Sequence, residues 1–285
     1  MVKSSGAQVN ITVLSAHIGA LVEGIDLATL TSSQFDVLYQ AYIKHKVLFF
    51  HHQNLTPQQH IALAQRFGEL EPVHPFFPHL DDHNQVVVIE TSPGHPPSTS
   101  YWHTDLTWQQ VPCRCSILQA QYCPPKGGDT IWTSMSAVWD GLSREQQSEL
   151  ANLTATHGLH AFEGSRYDSI DAQGGSQVAQ ISQHYPPVVH PLVVRHPDSG
   201  QPSVFVNEQF TRYINEVSSQ RSQAVLNDVF GRARREEYQV RFTWQPGSVA
   251  IWDNLCTQHF AVTDYGDEPR RLHRVTVRGT PLNSL

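Results

Sequence analysis

The stretch SYWHTDLTW, residues 100–108, sets His103 and Asp105 two positions apart. In an extended chain, residues i and i+2 project together, so an imidazole and a carboxylate would share one face, with Trp102 and Thr104 on the other. Alone, the pair reads equally as a solvated face or as two ligands of an ion. A second stretch, WDNLCTQHFAVTDYGDEPRRLHRVTVRG (252–279), supplies His259, then Arg270 eleven residues on and Arg274 four beyond that. Two imidazoles and one carboxylate are the set that holds non-haem Fe(II) while leaving coordination positions open. A zinc hydrolase can use the same three groups, but it does not need the matched arginine. A guanidinium fork grips a carboxylate through paired hydrogen bonds. Arg270 is therefore suited to the far carboxylate of 2-oxoglutarate, whose keto-acid end would chelate the iron, with O2 as oxidant. On a strand, Arg270 and Arg274 share a face and Arg271 points away.

Composition is compatible with this chemistry. The chain has 285 residues, of which 39% are apolar and 16% charged. That is enough to bury a sizeable core without disulfides. A net charge of −7 with no basic block argues against a nucleic-acid partner. The 17 histidines raise the prior for metal or acid–base chemistry. Cysteines at 113, 115, 123 and 256 form no CxxC and no disulfide framework, which points to a reducing compartment. They read as small buried residues rather than as nucleophiles. The first residues lack a signal-like apolar core, and nowhere do 18 apolar residues run together, so the expectation is a cytoplasmic protein without a membrane span.

The elements that must position these groups are mostly strands. A short strand is expected near 10–14, an amphipathic helix over 32–45, and VLFF at 47–50 as a buried strand. Thr56 as N-cap and Pro57 at the first helical position open a helix that stops at Gly68. Strands follow at 86–90 and 116–122, the His-x-Asp run between them also reads as strand, and PPKGGDT makes a turn. Ser143 with Gln146 forms a capping box for a helix to about 152. Residues 163–190 are polar and partly Gly-rich, a lid or insertion. Strands at 191–195, 203–206, 238–242, 248–252 and 272–278, with one helix at 218–231, complete the chain. With no βα alternation, the pattern fits a mainly β sandwich or barrel with flanking helices. No repeat or linker divides it, so residues 1–285 are expected to form a single domain. Trp102, Trp132 and Trp252 are expected in the core.

The blocks WHTDLTW, GGDTIWTS, FVNEQFT and WDNLCTQHFAVTDY resemble the Fe(II)/2-oxoglutarate dioxygenases of the taurine dioxygenase and 2,4-dichlorophenoxyacetate dioxygenase (TauD/TfdA) family, from GALVEGIDL to HRVTVRG, and the taurine branch in particular. The resemblance implies a double-stranded β-helix, or jelly roll, with iron held by His103, Asp105 and His259. It implies that Thr130 joins Arg270 on 2-oxoglutarate. It further implies that Arg274 and His74 meet a small anionic substrate, a sulfonate, with Asn207 and Phe210 near the pocket. The implied reaction hydroxylates the carbon beside the sulfonate and releases sulfite and an aldehyde, with succinate and CO2. An alkyl sulfate ester or an aryloxyacetate is the alternative substrate. Two positions depart from the taurine pattern. Phe77 stands where that branch has Tyr, and Thr99 where it has Asn, so recognition of an amine is in question. The family also implies a homo-oligomer, although these residues mark no contact surface.

Overall fold

Four neighbouring strands that send alternate residues into two different cores organise the molecule. The computed structural model describes residues 9–285 apart from positions 96, 98, 99 and 166. The strands are β1 (Asn10–Val13), β2 (Ala20–Glu23), β3 (Val47–Phe50), β4 (His79–Leu80), β5 (His83–Thr91), β6 (Cys115–Tyr122), β7 (Thr130–Ser134) and β8 (Thr154–His157). They continue as β9 (Val188–Pro191), β10 (Val193–Arg195), β11 (Pro202–Val204), β12 (Thr211–Ile214), β13 (Gln239–Phe242), β14 (Val249–Asp253), β15 (Thr257–Ala261) and β16 (Arg270–Val277). The helices are α1 (Ser32–His45), α2 (Pro57–Gln65), α3 (Met135–Asp140), α4 (Arg144–Leu150), α5 (Gln177–His184) and α6 (Ser219–Ala233).

Eight strands form one sheet in the order β1-β2-β3-β14-β6-β16-β5-β4, and β13-β7-β15 form a second. Alternate residues of the large sheet serve two cores. Leu48, Phe50, Ile117, Val249, Ile251, Val275 and Val277 face α1 and α2, where Leu38, Ala41, Tyr42, Leu63 and Ala64 cover them. Their strand neighbours Val47, Phe49, Leu118, Ala250, Trp252 and Leu272 turn inward and meet Trp132, Val240 and Phe242 of the small sheet. The two sheets thus stack as the halves of a jelly roll. Burying a strand on both faces explains why VLFF carries no polar alternation. A third apolar cluster joins α3 and α6 to β8, β10, β11 and β12.

Helix starts follow local chemistry. Thr31, Thr56 and Ser143 each complete a capping box, with Gln34, Gln59 and Gln146 returning the bond, and Pro57 occupies the first turn of α2. Most expected elements are present, α1 and β3 at the predicted residues and the others with shifted ends. α2 already ends at Gln65, short of Gly68. The sequence reading did not separate β2, β4, β7, β8, β9, β12, β15, α3 or α5, of which β9 and α5 lie within or beside the 163–190 segment.

The run around His103 and Asp105 is not a strand. His103 makes a single antiparallel bridge to His259, and residues 105–108 turn. Leu106 adopts φ +56°, a left-handed conformation uncommon for a branched residue. The side-by-side projection of His103 and Asp105 therefore comes from a bridge followed by a turn, not from strand alternation. Among the described residues, no helix is long and apolar enough to cross a membrane.

Candidate active site

The two sheets contribute different kinds of group to one end of the sandwich. The small sheet brings the imidazoles. His259 sits mid-strand in β15, paired with Trp132 of β7. His103 is tied to it by reciprocal backbone bonds, the His103 N–H to the His259 carbonyl at 3.1 Å and the His259 N–H to the His103 carbonyl at 2.8 Å. The ring centroids lie 4.0 Å apart. The turn then carries Asp105 toward the large sheet, where Ser116 of β6 donates to Oδ2 at 2.8 Å and Arg274 Nη1 of β16 donates to Oδ1 at 2.8 Å. Oδ1 is also the atom nearest both imidazoles, 3.9 Å from His103 Nε2 and 4.0 Å from His259 Nε2. The three potential ligand atoms fall within 4.8 Å of one another.

Protonation suits this set to a cation. His103 Nδ1 lies 2.9 Å from the Tyr101 carbonyl, which can only accept, so the proton sits on Nδ1 and Nε2 keeps its lone pair. Burial lowers the pKa of His103, and burial together with His103 holds that of His259 well below the ordinary value. Burial alone would raise the pKa of Asp105, but Arg274, His259, His103 and the Ser116 hydroxyl hold it well below the usual carboxylate range. The centre thus offers two neutral imidazoles and one carboxylate, the donor chemistry of a non-haem iron site. The His259 ring is held by packing: the Trp252 centroid lies 5.0 Å away, and Trp132 stacks at 6.4 Å.

A cavity of about 170 Å³ opens beside these donors, and its lining includes His103, His259, Thr130, Arg270, Arg274 and Phe77. Arg270 and Arg274 face it together with Leu272, whereas Arg271 pairs outside with Glu90. Arg270 is 6% exposed, its Nε lacks a hydrogen-bond partner, and its guanidinium carbon lies 5.9 Å from the Tyr265 ring centroid. The Thr130 hydroxyl accepts from Trp244 Nε1 at 2.9 Å, which leaves its own proton for another acceptor. The Gly-Gly turn before it needs its glycines. Gly128 has φ +72°, and a Cβ there would lie 3.2 Å from Tyr265 and 3.4 Å from the Arg270 stem.

The remaining predicted residues sit elsewhere. His74 lines a neighbouring cavity of about 370 Å³ rather than the one beside the metal donors. Its Nδ1 accepts the backbone N–H groups of Phe76 and Phe77, both at 3.2 Å. Burial, then Arg274, lowers its pKa to about 3, so it is a neutral ring whose Nε2–H can donate. Phe77 packs against His74 at a tilt, with ring centroids 4.5 Å apart, and the Arg274 guanidinium lies 5.4 Å from its centroid. Asn207 is buried, donates to Thr107 Oγ1 at 3.0 Å and accepts the Phe210 N–H at 2.9 Å, so its amide braces the turn that carries Asp105. Phe210 packs behind His103, with centroids 6.4 Å apart, among buried apolar residues. Thr99 lies outside the described residues. Trp132 and Trp252 are buried as expected, yet both also line the cavity, as do Tyr101, Phe162 and Tyr167, which sequence reasoning did not single out. No motif marked those last three, because loop aromatics reach the cavity only through tertiary folding.

Comparison with known proteins matches this arrangement to one family. The family model for the taurine catabolism dioxygenase TauD, TfdA family matches residues 10–276. An alkylsulfatase of Acinetobacter baylyi is 32% identical over 95% of this chain and 86% of its own length. An alpha-ketoglutarate-dependent sulfate ester dioxygenase of Pseudomonas putida is 33% identical over 93% of this chain and 88% of its own. The crystal structure of a taurine dioxygenase from Burkholderia xenovorans superposes with a TM-score of 0.79 at 32% identity, covering 97% of this chain and 93% of that one. The chain belongs to the TauD/TfdA family and is a 2-oxoglutarate-dependent dioxygenase.

Proposed function

We propose that this dioxygenase hydroxylates the carbon next to the sulfonate of an alkylsulfonate, releasing sulfite and an aldehyde, with His103, Asp105 and His259 holding Fe(II). The observation that carries the reading is that His103 and His259 line one cavity with two buried arginines of one strand, while Asp105 lies against both imidazoles and Arg274 at its edge. With Fe(II), 2-oxoglutarate and O2 bound, the centre supplies the oxidation of one C–H bond, and the cosubstrate leaves as succinate and CO2. The protein's part is placement. Arg270 and Thr130 present donors to the far carboxylate of 2-oxoglutarate at the Tyr265 end of the cavity. Arg274, beside Phe77, presents the cation for the sulfonate, with the Nε2–H of His74 as a neutral donor behind it. Trp132 and Trp252 wall the centre from water. A hydroxylated carbon bearing a sulfonate expels sulfite as its carbonyl forms.

The walls favour an apolar tail over the ammonium of taurine. Phe77, Tyr101, Phe162 and Tyr167 line the cavity with Ile89, Leu118 and Leu272, and Phe77 has no hydroxyl to offer an amine. The names of the two relatives at 32% and 33% identity support a second reading, an alkyl sulfate ester that would release sulfate instead.

A panel of alkylsulfonates, alkyl sulfates and taurine, incubated with Fe(II), ascorbate and 2-oxoglutarate, separates these readings by the inorganic product. Sulfite supports the first and sulfate the second, and no succinate from any member of the panel would refute both. Phe77→Tyr is expected to shift preference toward taurine by up to about tenfold, the size of one added hydrogen bond, as read from the ratio of kcat/KM values. Arg270→Ala should raise the 2-oxoglutarate requirement by about a hundredfold, since a charge-assisted pair contributes about 1.5–3 kcal/mol.

A further inference from the structure

Oδ2 of Asp105 lies at the end of a one-way relay of hydrogen bonds. Trp252 Nε1 and the backbone N–H of Asp105 both donate to Asn254 Oδ1, at 3.0 and 3.3 Å. Asn254 Nδ2 donates to Ser116 Oγ at 3.0 Å, and Ser116 Oγ donates to Asp105 Oδ2 at 2.8 Å. The direction is forced. Trp252 Nε1 and a backbone N–H have nothing to accept with, so the carbonyl oxygen of Asn254 must face them. Its amide nitrogen then faces Ser116, whose single proton is left for the carboxylate. Turning the Asn254 amide over would set its NH2 against the Trp252 and Asp105 N–H donors, and its oxygen would compete with Asp105 Oδ2 for the single Ser116 proton. Trp252, Asn254 and Ser116 are each at most 1% exposed, and Asp105 is 5% exposed. No bulk water is at hand to replace a lost bond, and such bonds are stronger in so dry a setting.

From this relay we infer that Ser116 and Asn254 are positioning residues that commit Oδ2 of Asp105 to the protein, so that Oδ1 alone faces the metal. The inference rests on the metal-site reading above. Oδ1 accepts from Arg274 and is the oxygen nearest both imidazoles, whereas Oδ2 is turned between the sheets. The consequence is a count of coordination positions. Two imidazoles and a one-oxygen carboxylate leave three of six places open, which a chelating keto acid and O2 require together. A carboxylate bound through both oxygens would close one of them. Ser116 lies in SILQAQY and Asn254 in WDN, where neither residue type marks a ligand. Their role arises because β6 and β14 are adjacent, with Trp252 paired to Ser116.

Mn(II) titration of the full chain, followed by the loss of the free-ion EPR signal, tests this without turnover. Ser116→Ala is expected to weaken Mn(II) binding by about 10–100-fold with an unchanged far-ultraviolet circular dichroism spectrum. Binding within threefold of wild type would overturn the inference. Infrared difference spectra of the wild-type protein labelled with ¹³C-aspartate provide a second reading that survives even if the variant does not fold. On Mn(II) addition, a wide separation of the asymmetric and symmetric carboxylate stretches marks binding through one oxygen, as expected. A narrow separation marks binding through two and overturns the inference. Wild-type protein that takes up no Mn(II) would instead overturn the metal-site reading beneath it.

Discussion

His103, Asp105 and His259 on the one hand, and His196, Asp253 and Cys256 on the other, each bring three potential ligand atoms within 4.8 Å of one another. By residue type the second group is as good a candidate for a metal as the first, and it is more deeply buried. Its lone pairs are spent. His196 Nδ1 accepts the backbone N–H groups of Asp198 and Ser199, both at 3.2 Å, so the ring proton sits on Nε2 and goes to Asp253 Oδ2 at 2.8 Å. Asp253 Oδ1 accepts the Leu255 N–H at 2.8 Å. Burial, then Asp253, pushes the Cys256 thiol well up, which keeps it protonated and a poor ligand. In the first group the proton sits on the far side of the His103 ring, and Oδ1 still faces both imidazoles. The difference lies in His103 and His196: Nδ1 of the first meets a backbone acceptor, and Nδ1 of the second meets backbone donors. One cluster is an open donor set, and the other is a closed structural pair locking the start of the 253–257 turn.

Variants can break this contrast. The largest effect is expected from Asp105→Ala. Iron-dependent succinate formation should vanish, and urea unfolding should show a loss of about 3–5 kcal/mol, because Arg274 is left buried without its counter-charge. This is more than the loss of a ligand on a tolerant surface, since Asp105 is also one half of a buried ion pair. Succinate formation at the wild-type rate would remove the first cluster from the chemistry. Next, His196→Ala should cost about 3 kcal/mol of stability, with Asp253 left buried and underbonded, yet leave Mn(II) affinity within threefold of wild type. A marked loss of affinity would mean that the second cluster is not a purely structural pair.

The smallest effect concerns pH. Both His103 and His259 have lowered pKa values and are already neutral at pH 7. A histidine with a depressed pKa is less protonated at a given pH, so Mn(II) affinity should fall less between pH 8 and pH 6 than at a site of ordinary imidazoles. A site built on imidazoles of ordinary pKa, about 6.5, would lose roughly fourfold per histidine by pH 6. Proton release on Mn(II) binding, read with an indicator dye, distinguishes the two, and substantial release at pH 6.5 would contradict the neutral assignment.

Much of the frame is written in local sequence. The Ser143–Gln146 capping box and the Thr56–Pro57 helix start depend on neighbours within four residues, and the sequence suffices for them; VLFF reads as a buried strand from its apolar run, although the layers on its two faces come from distant elements. The spacing of His103, Asp105, His259, Arg270 and Arg274 also carried the candidate centre, because the donor set is recognisable by residue type alone. What local reasoning missed depended on pairing. Thr257–Ala261 follows a turn and reads as polar, yet it becomes a strand because β7 lies beside it. The His103–Asp105 run looks like a strand but is a bridge and a left-handed turn, braced from behind by Asn207 through Thr107. His74, one of three histidines in its loop, is expected as an anion contact; what residue type could not give is that it is a buried neutral ring lining a neighbouring cavity.

Taken by itself, the sequence determined the inventory: which side chains could ligate a cation, which arginines could meet anions, and that the chain is built mainly of strands. Only the tertiary structure decided which lone pairs remain free. That decision turns on the groups that face each ligand once the chain is folded: Ser116 of β6 and Arg274 of β16 for Asp105, the nearby Tyr101 carbonyl for His103, and the N–H groups of the Asp198–Ser199 turn for His196. A residue's type sets how many donors and acceptors it carries, whereas the groups that face it in the folded chain set which of them are left for a ligand.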